Sequence, residues 1–152
     1  MTYHTVADVS ALLKNITISD TEPGCILSVV QVTLYGNKTE SDVLGELGKA
    51  YQLPIVQADS PLAFAAVKTI CALFTAALCY NLLKLSGTIR IDPDEENKMI
   101  SYYGMAKKSL ENIMKDQAPL PDAVRLFAIE DTIRNTAAEQ SAGTVSKALK
   151  QW

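Results

Sequence analysis

The chain has 152 residues, of which 48% are hydrophobic and 20% charged, so it suits one globular domain with an affordable core. Its formal net charge of −3 argues against a duplex-DNA binder, which needs a basic face to neutralise phosphates. Cys25, Cys71 and Cys79 form no CxxC pair and no metal spacing, which points to reduced, buried thiols rather than a redox or nucleophilic centre.

The first residues, MTYHTVADVS, have neither the basic region nor the apolar run of a secretory signal, so none is expected. Thr5 and Asp8 have the spacing of a capping box, and Val6, Val9, Leu12 and Leu13 recur at helical intervals. A short helix is predicted there, to about Lys14. Asn15 to Thr21 reads as a loop or short extended piece, with several caps in Ser19-Asp20-Thr21 and Pro23 suited to a first helical turn.

Cys25 to Tyr35 is rich in β-branched residues and reads either as a strand or as a helix with Ile26, Val29, Val30 and Thr33 on one face. Gly36-Asn37 is expected to break or bend the chain. A helix then resumes at Thr39 or Ser41, with Val43, Leu44, Leu47 and Tyr51 on one side. A bent helical arm is preferred to a β-hairpin. Gly45 and Gly48 each cost about 1 kcal/mol relative to Ala in a helix, and their spacing would permit close approach of another helix. Pro54 ends this element and Ile55 to Asp59 connects it to the next.

Ser60 to Ser86 is the most unusual block. Ser60 suits a helix cap and Pro61 the first helical position. The residues that follow are apolar almost all round, with no charge between Lys68 and Lys84. A surface helix carries a polar face, and this one nearly lacks it, so a buried central helix is predicted. Its expected core residues are Phe64, Val67, Leu73, Phe74, Leu78 and Leu82. The uncharged run is shorter than the ~20 residues of a membrane span and has no aromatic belt, so no membrane span is expected.

Thr88 to Pro93 is a predicted loop. Asp94-Glu95-Glu96 places acid at the start of a final helix, where the dipole favours it. Met99, Tyr103, Ala106, Leu110 and Ile113 form the cleanest amphipathic stripe in the chain, expected to lie across the central helix. Of the adjacent Tyr102 and Tyr103, one must face the core and the other the surface. Ala118-Pro119-Leu120-Pro121 reads as a stiff linker. Beyond it the apolar residues are sparse, so residues 119–152 are expected to be an arm that orders on a partner, joined to a helical core of residues 1–118. Val124, Arg125, Leu126, Phe127, Val145, Leu149 and Trp152 are its candidate partner-binding residues. Trp152, the only tryptophan, reads either as part of a frayed terminus or as an interface anchor.

No catalytic set emerges. His4 is the only histidine and falls in the first residues, expected to be mobile, which leaves no His-based triad and no His-rich metal site. Asp92, Asp94, Glu95 and Glu96 lack the glycine and closing glutamate of a calcium loop and read as a solvated helix start. There is no glycine-rich phosphate loop. The expectation is an all-α small bundle with a long buried central helix and an extended C-terminal arm. It would be a non-enzymatic protein without cofactor or metal, whose surplus apolar surface asks for an assembly.

The order of elements resembles the head–tail adaptor (connector, or head-completion) proteins of tailed bacteriophages. Those begin with a Y-x-T-x-x-D/E-V helix, matched by Tyr3, Thr5, Asp8 and Val9. A helix ending in R/K-x-Y-x-L-P-[LI] follows, matched by Lys49, Tyr51, Leu53, Pro54 and Ile55. Next comes a proline-started helix through small apolar residues, here opened by Pro61 and closed by Tyr80-Asn81-Leu82-Leu83. Last is a helix with E-x-x-x-x-Y-x-x-A-x-x-x-L, which Asn97 to Leu110 fits from Tyr103 through Ala106 to Leu110. The resemblance spans Tyr3 to Pro121, and the arm from Asp122 matches no pattern. It implies a virion structural protein at the head–tail junction, made in the host cytoplasm. Copies would form a ring, usually of twelve, under the portal protein, with the C-terminal part reaching into the portal. The ring would extend the DNA channel without sequence-specific binding and offer a platform to the next neck or tail protein. A mildly acidic lumen would let DNA slide. The alternative is a non-viral helical interaction module, a regulatory or chaperone-like oligomer.

Overall fold

The computed structural model describes residues 2–13, 16–21, 26–86 and 93–126. Four helices follow in order: α1 (Val6–Leu12), α2 (Val29–Leu47), α3 (Pro61–Leu85) and α4 (Pro93–Met114). The described residues form no strand longer than an isolated bridge. The fold is the all-α bundle that the periodicities predict, with α3 at its centre and α1, α2 and α4 packed on it.

The local start signals act as read. Thr5 and Asp8 close a capping box on α1, each side chain bonding the other's backbone N–H. The helix ends at Leu12, two residues before the expected Lys14. Asp8 also meets Lys68 on α3 at 2.9 Å. Burial pushes the Asp8 carboxyl up, but hydrogen bonds from Lys68 and from the Thr5 hydroxyl and N–H outweigh it and hold the value at about 2. Because this lies below the unfolded value, the contribution is complete above about pH 4 and fades as pH falls through about 2. Asp8 is 26% exposed, so solvent screening limits the pair to about 1 kcal/mol or less. Lys68→Met should therefore lose that increment at pH 7 in urea titrations and converge with the parent as pH approaches 2. An equal gap at both pH values would refute the linkage.

The ambiguous stretch after Cys25 resolves into two pieces. Ile26 and Leu27 run alongside Thr17 to Ser19 through a parallel bridge, Ile18 to Leu27. Ser28 then caps α2 in a second capping box with Gln31. Contrary to the expected break at Gly36-Asn37, α2 continues unbroken to Leu47. Gly36 is buried, and a methyl group there would lie 2.9 Å from the imidazole of His4. The glycine thus makes room for a side chain instead of bending the helix. Gly45, expected to allow close helix approach, faces open space.

α3 buries a distinctive set of residues. Ala63, Val67, Cys71, Ala76 and Cys79 have no exposure at all. Of the predicted core residues, Val67 and Leu73 are buried, whereas Phe64, Phe74, Leu78 and Leu82 are only half-buried. The large side chains of Ile70, Leu73, Tyr80 and Leu83 are buried beside these small ones. By length and composition α3 could cross a membrane, yet 56% of its most apolar window is buried inside this fold, as in a core helix.

α4 runs against α3 through Met99, Tyr102, Ala106, Leu110 and Ile113. Tyr102, not Tyr103 as predicted, is the inward member of its pair; its hydroxyl donates to the Leu12 carbonyl at 3.2 Å. Tyr103 is 52% exposed and meets Phe74 edge-on, with centroids 5.4 Å apart. Past the helix, Asp116 takes a left-handed conformation (φ 62°). Gln117 N–H donates to the Asn112 carbonyl and Asp116 N–H to Ile113, the double bond of a Schellman stop.

Candidate functional site

Three features stand out: a buried polar tie at the N-terminus, a clasp that holds the chain after α4, and an uncovered groove along α3.

The tie corrects the expectation that His4 is mobile. His4 is 8% exposed, and its Nδ1 lies 2.8 Å from Glu40 Oε1 on α2. The same carboxylate oxygen accepts the backbone N–H groups of Tyr3 (2.7 Å) and His4 (3.2 Å). On the other side of the ring, Nε2 lies 3.1 Å from Thr75 Oγ1 on α3. Tyr3 is anchored too: its ring stacks on Phe64 at 5.1 Å, and its hydroxyl accepts Ile55 N–H at 3.0 Å. Carboxylate, imidazole and hydroxyl stand in the order that activates a serine nucleophile. Here, however, the hydroxyl is fully buried and donates to the Cys71 carbonyl one turn back at 2.8 Å. No substrate carbonyl can reach it. The cluster joins the N-terminal segment, α2 and α3, and sequence reasoning missed it because the three residues are far apart in the chain.

The clasp concerns residues expected to form a free arm. Leu120 is buried, and its N–H donates to the Tyr51 hydroxyl at 3.2 Å. Gln52 N–H donates to the Val124 carbonyl and Leu126 N–H to the Ala50 carbonyl, so the two segments run antiparallel. Arg125 lies over the Tyr51 ring, 5.5 Å from its centroid, and pairs with Asp116 at 2.7 Å. Residues 119–126 thus pack on the bundle, and the expected division at residue 118 does not mark where packing stops.

Asp122 adds a cap that the sequence does not announce. Its carboxylate accepts the N–H groups of Leu62 (3.2 Å) and Ala63 (3.1 Å), while its carbonyl accepts the Ser60 hydroxyl at 2.8 Å. Ser60 holds the N-cap position but does not cap with its own side chain. The cap comes instead from a residue distant in the chain, in a left-handed conformation (φ 53°) that suits Asp better than most residues. Asp122→Ala should cost about 1–2 kcal/mol in thermal melts, the usual price of a lost cap. A melt within error of the parent would show that α3 does not need it.

The groove lies between α2 and α4 with α3 as its floor. One hollow of about 250 Å³ is lined by Lys38, Asp42 and Glu46 of α2, Phe74 and Leu78 of α3, and Tyr103 and Leu110 of α4. A second, of about 290 Å³, continues past Leu78 and Tyr103 to Asn81, Met99 and Ile100. Both are predominantly apolar in floor and walls. Elsewhere on the surface Val30 and Leu34 are 68% and 66% exposed one turn apart on α2.

Among the candidate partner-binding residues, Val124 (53%) and Leu126 (38%) are exposed, while Arg125 is engaged within the chain. Phe127, Val145, Leu149 and Trp152 lie outside the described residues, as do Cys25 and the side chains of the acidic run from Asp92 to Glu96. Cys71 and Cys79 are free and buried. Burial pushes both thiols up to about 12, helped at Cys71 by the Glu40 charge, so neither is a thiolate at neutral pH. Among the described residues no three His, Cys, Asp or Glu side chains gather as a metal site would require. Compared with family models, with curated proteins and with solved structures, the chain matches none.

Proposed function

We propose that this chain is a structural subunit of a tailed-bacteriophage neck, forming a ring of about twelve copies between the portal protein and the next neck or tail protein. The observation that carries the reading is the uncovered apolar surface of a small helical bundle: the α2–α4 groove and the separate Val30–Leu34 ridge. A contact between the ridge of one copy and the groove of the next would join unlike surfaces, and such contacts form a ring when the rotation closes.

The motif order adds support. Tyr3 and the Thr5–Asp8 box anchor the first helix, and Tyr51 anchors the turn before α3, so the residues that carry the resemblance also hold this fold together. In the ring, DNA would pass through the lumen without sequence-specific contacts, in keeping with a net charge of −3. The protein would act at the head–tail junction of the virion after synthesis in the host cytoplasm, with no chemistry of its own.

Co-expression with the portal protein of the same genome, followed by particle imaging, tests the reading. A ring of this chain seated on the portal is the expected result. A compact dimer that ignores portal protein would refute it and favour a regulatory or chaperone-like module.

A further inference from the structure

The buried contacts of His4 fix where its protons sit. Glu40 Oε1 already accepts the N–H groups of Tyr3 and His4 at 2.7 and 3.2 Å, so it meets the ring as an acceptor. Nδ1, 2.8 Å away, therefore carries a hydrogen. On the far side of the ring, Thr75 has one hydroxyl hydrogen to give. It goes to the Cys71 carbonyl at 2.8 Å, the shorter of the two contacts of Oγ1. What faces Nε2 at 3.1 Å is then a lone pair, so Nε2 carries a hydrogen as well. An imidazole with hydrogen on both nitrogens is a cation.

Charge balance leads to the same state. Glu40 is 6% exposed, and a carboxylate so deep is unfavourable unless a cation pairs with it. Its ion-pair partner is His4, which is buried too.

We propose that Glu40 and Thr75 hold His4 as an imidazolium, and that its second proton latches the N-terminal segment onto α2 and α3. Losing that proton leaves the Glu40 charge buried without a counter-ion. It also turns the Nε2 lone pair toward the oxygen of Thr75, so the latch loosens as pH rises. The acids packed around the ring stay fixed meanwhile. From α3, the Cys71 thiol is pushed up to about 12 by burial. In the N-terminal segment, burial raises the Tyr3 phenol above its ordinary value. At the start of α1, Asp8 lies at about 2 and pairs with Lys68. None of these three acids changes charge between about pH 6 and pH 9. The unfolded chain gives up the imidazole proton near about pH 6.5, and the folded chain holds it to higher pH. The stabilisation is thus complete below about 6.5 and is lost as pH rises through the folded transition.

Long-range 1H–15N NMR on the untagged chain reads the ring directly, because His4 is the only histidine. At about pH 7.5, where a free imidazole is mostly neutral, both ring nitrogens should carry hydrogen. Glu40→Gln keeps the shape but not the charge, and its ring should be neutral at the same pH. A neutral ring in the parent, or a cationic ring in folded Glu40→Gln, would overturn the proposal. Thermal melts give a second readout. The gap in melting temperature between parent and Glu40→Gln should shrink by about half or more from about pH 6 to pH 9. A gap that stays constant or widens would show that the proton does not latch the segment.

Discussion

Glu40→Ala should destabilise the protein by about 3–5 kcal/mol, the scale seen when one partner of a buried ionic or hydrogen-bonded cluster is removed. The reason lies in the number of donors that lose their acceptor. One carboxylate oxygen accepts two backbone N–H groups and the His4 ring nitrogen, and Tyr3, His4 and Glu40 are all buried. Alanine would leave those donors without a partner, away from water. Glu40→Gln keeps the shape and one acceptor oxygen, so its cost should be smaller, about 1–2 kcal/mol. Urea denaturation of both variants checks the order. Exchange should also speed first at the amides of Tyr3 and His4, before α3 opens. A Glu40→Ala protein within about 1 kcal/mol of the parent would show that the tie does not hold the N-terminal segment.

The second large effect is expected at Tyr51. It is 1% exposed and serves three contacts: its ring fills the core beside Leu47 and Ile55, its face carries the Arg125 guanidinium, and its hydroxyl accepts Leu120 N–H. Tyr51→Ala should cost about 3–5 kcal/mol, the range for deleting a buried aromatic ring. Tyr51→Phe removes only the hydroxyl and should cost about 1 kcal/mol. The pair separates packing from clasp. If the clasp depends on the hydroxyl, Tyr51→Phe should raise protease sensitivity at residues 117–126 with little change in melting temperature. Equal melting losses in both variants would refute the division of roles.

Much of the fold was legible because its signals are local. The α1 capping box, the Pro61 start of α3 and the amphipathic stripe of α4 each depend on residues a few positions apart, whose preferences act before any tertiary contact forms. The β-branched run from Val29 to Thr33 was ambiguous by composition. It became helix because Ser28 and Gln31 cap it and Val32 is buried between α1 and α3. The inward tyrosine of α4 was misassigned because Tyr102 and Tyr103 flank the stripe on opposite sides, and only the position of Leu12 decides between them.

Taken alone, the sequence determined the helical class, the approximate extent of α1, α3 and α4 and the central place of α3, since apolar periodicity and its absence report how many sides of a helix must be covered, whereas the first half of α2 stayed ambiguous. The tertiary structure decided what distant residues do to one another. Gly36 makes room for His4, His4 bridges Glu40 and Thr75, Asp122 caps a helix sixty residues earlier, and Tyr51 holds the segment after α4. Those contacts are absent from any sequence window because loop closure, not local preference, brings their members together. The groove belongs to the same class. Phe74 and Leu78 read as core in a helix apolar on every side, and only the spacing of α2 and α4 leaves them half-covered and open to a partner.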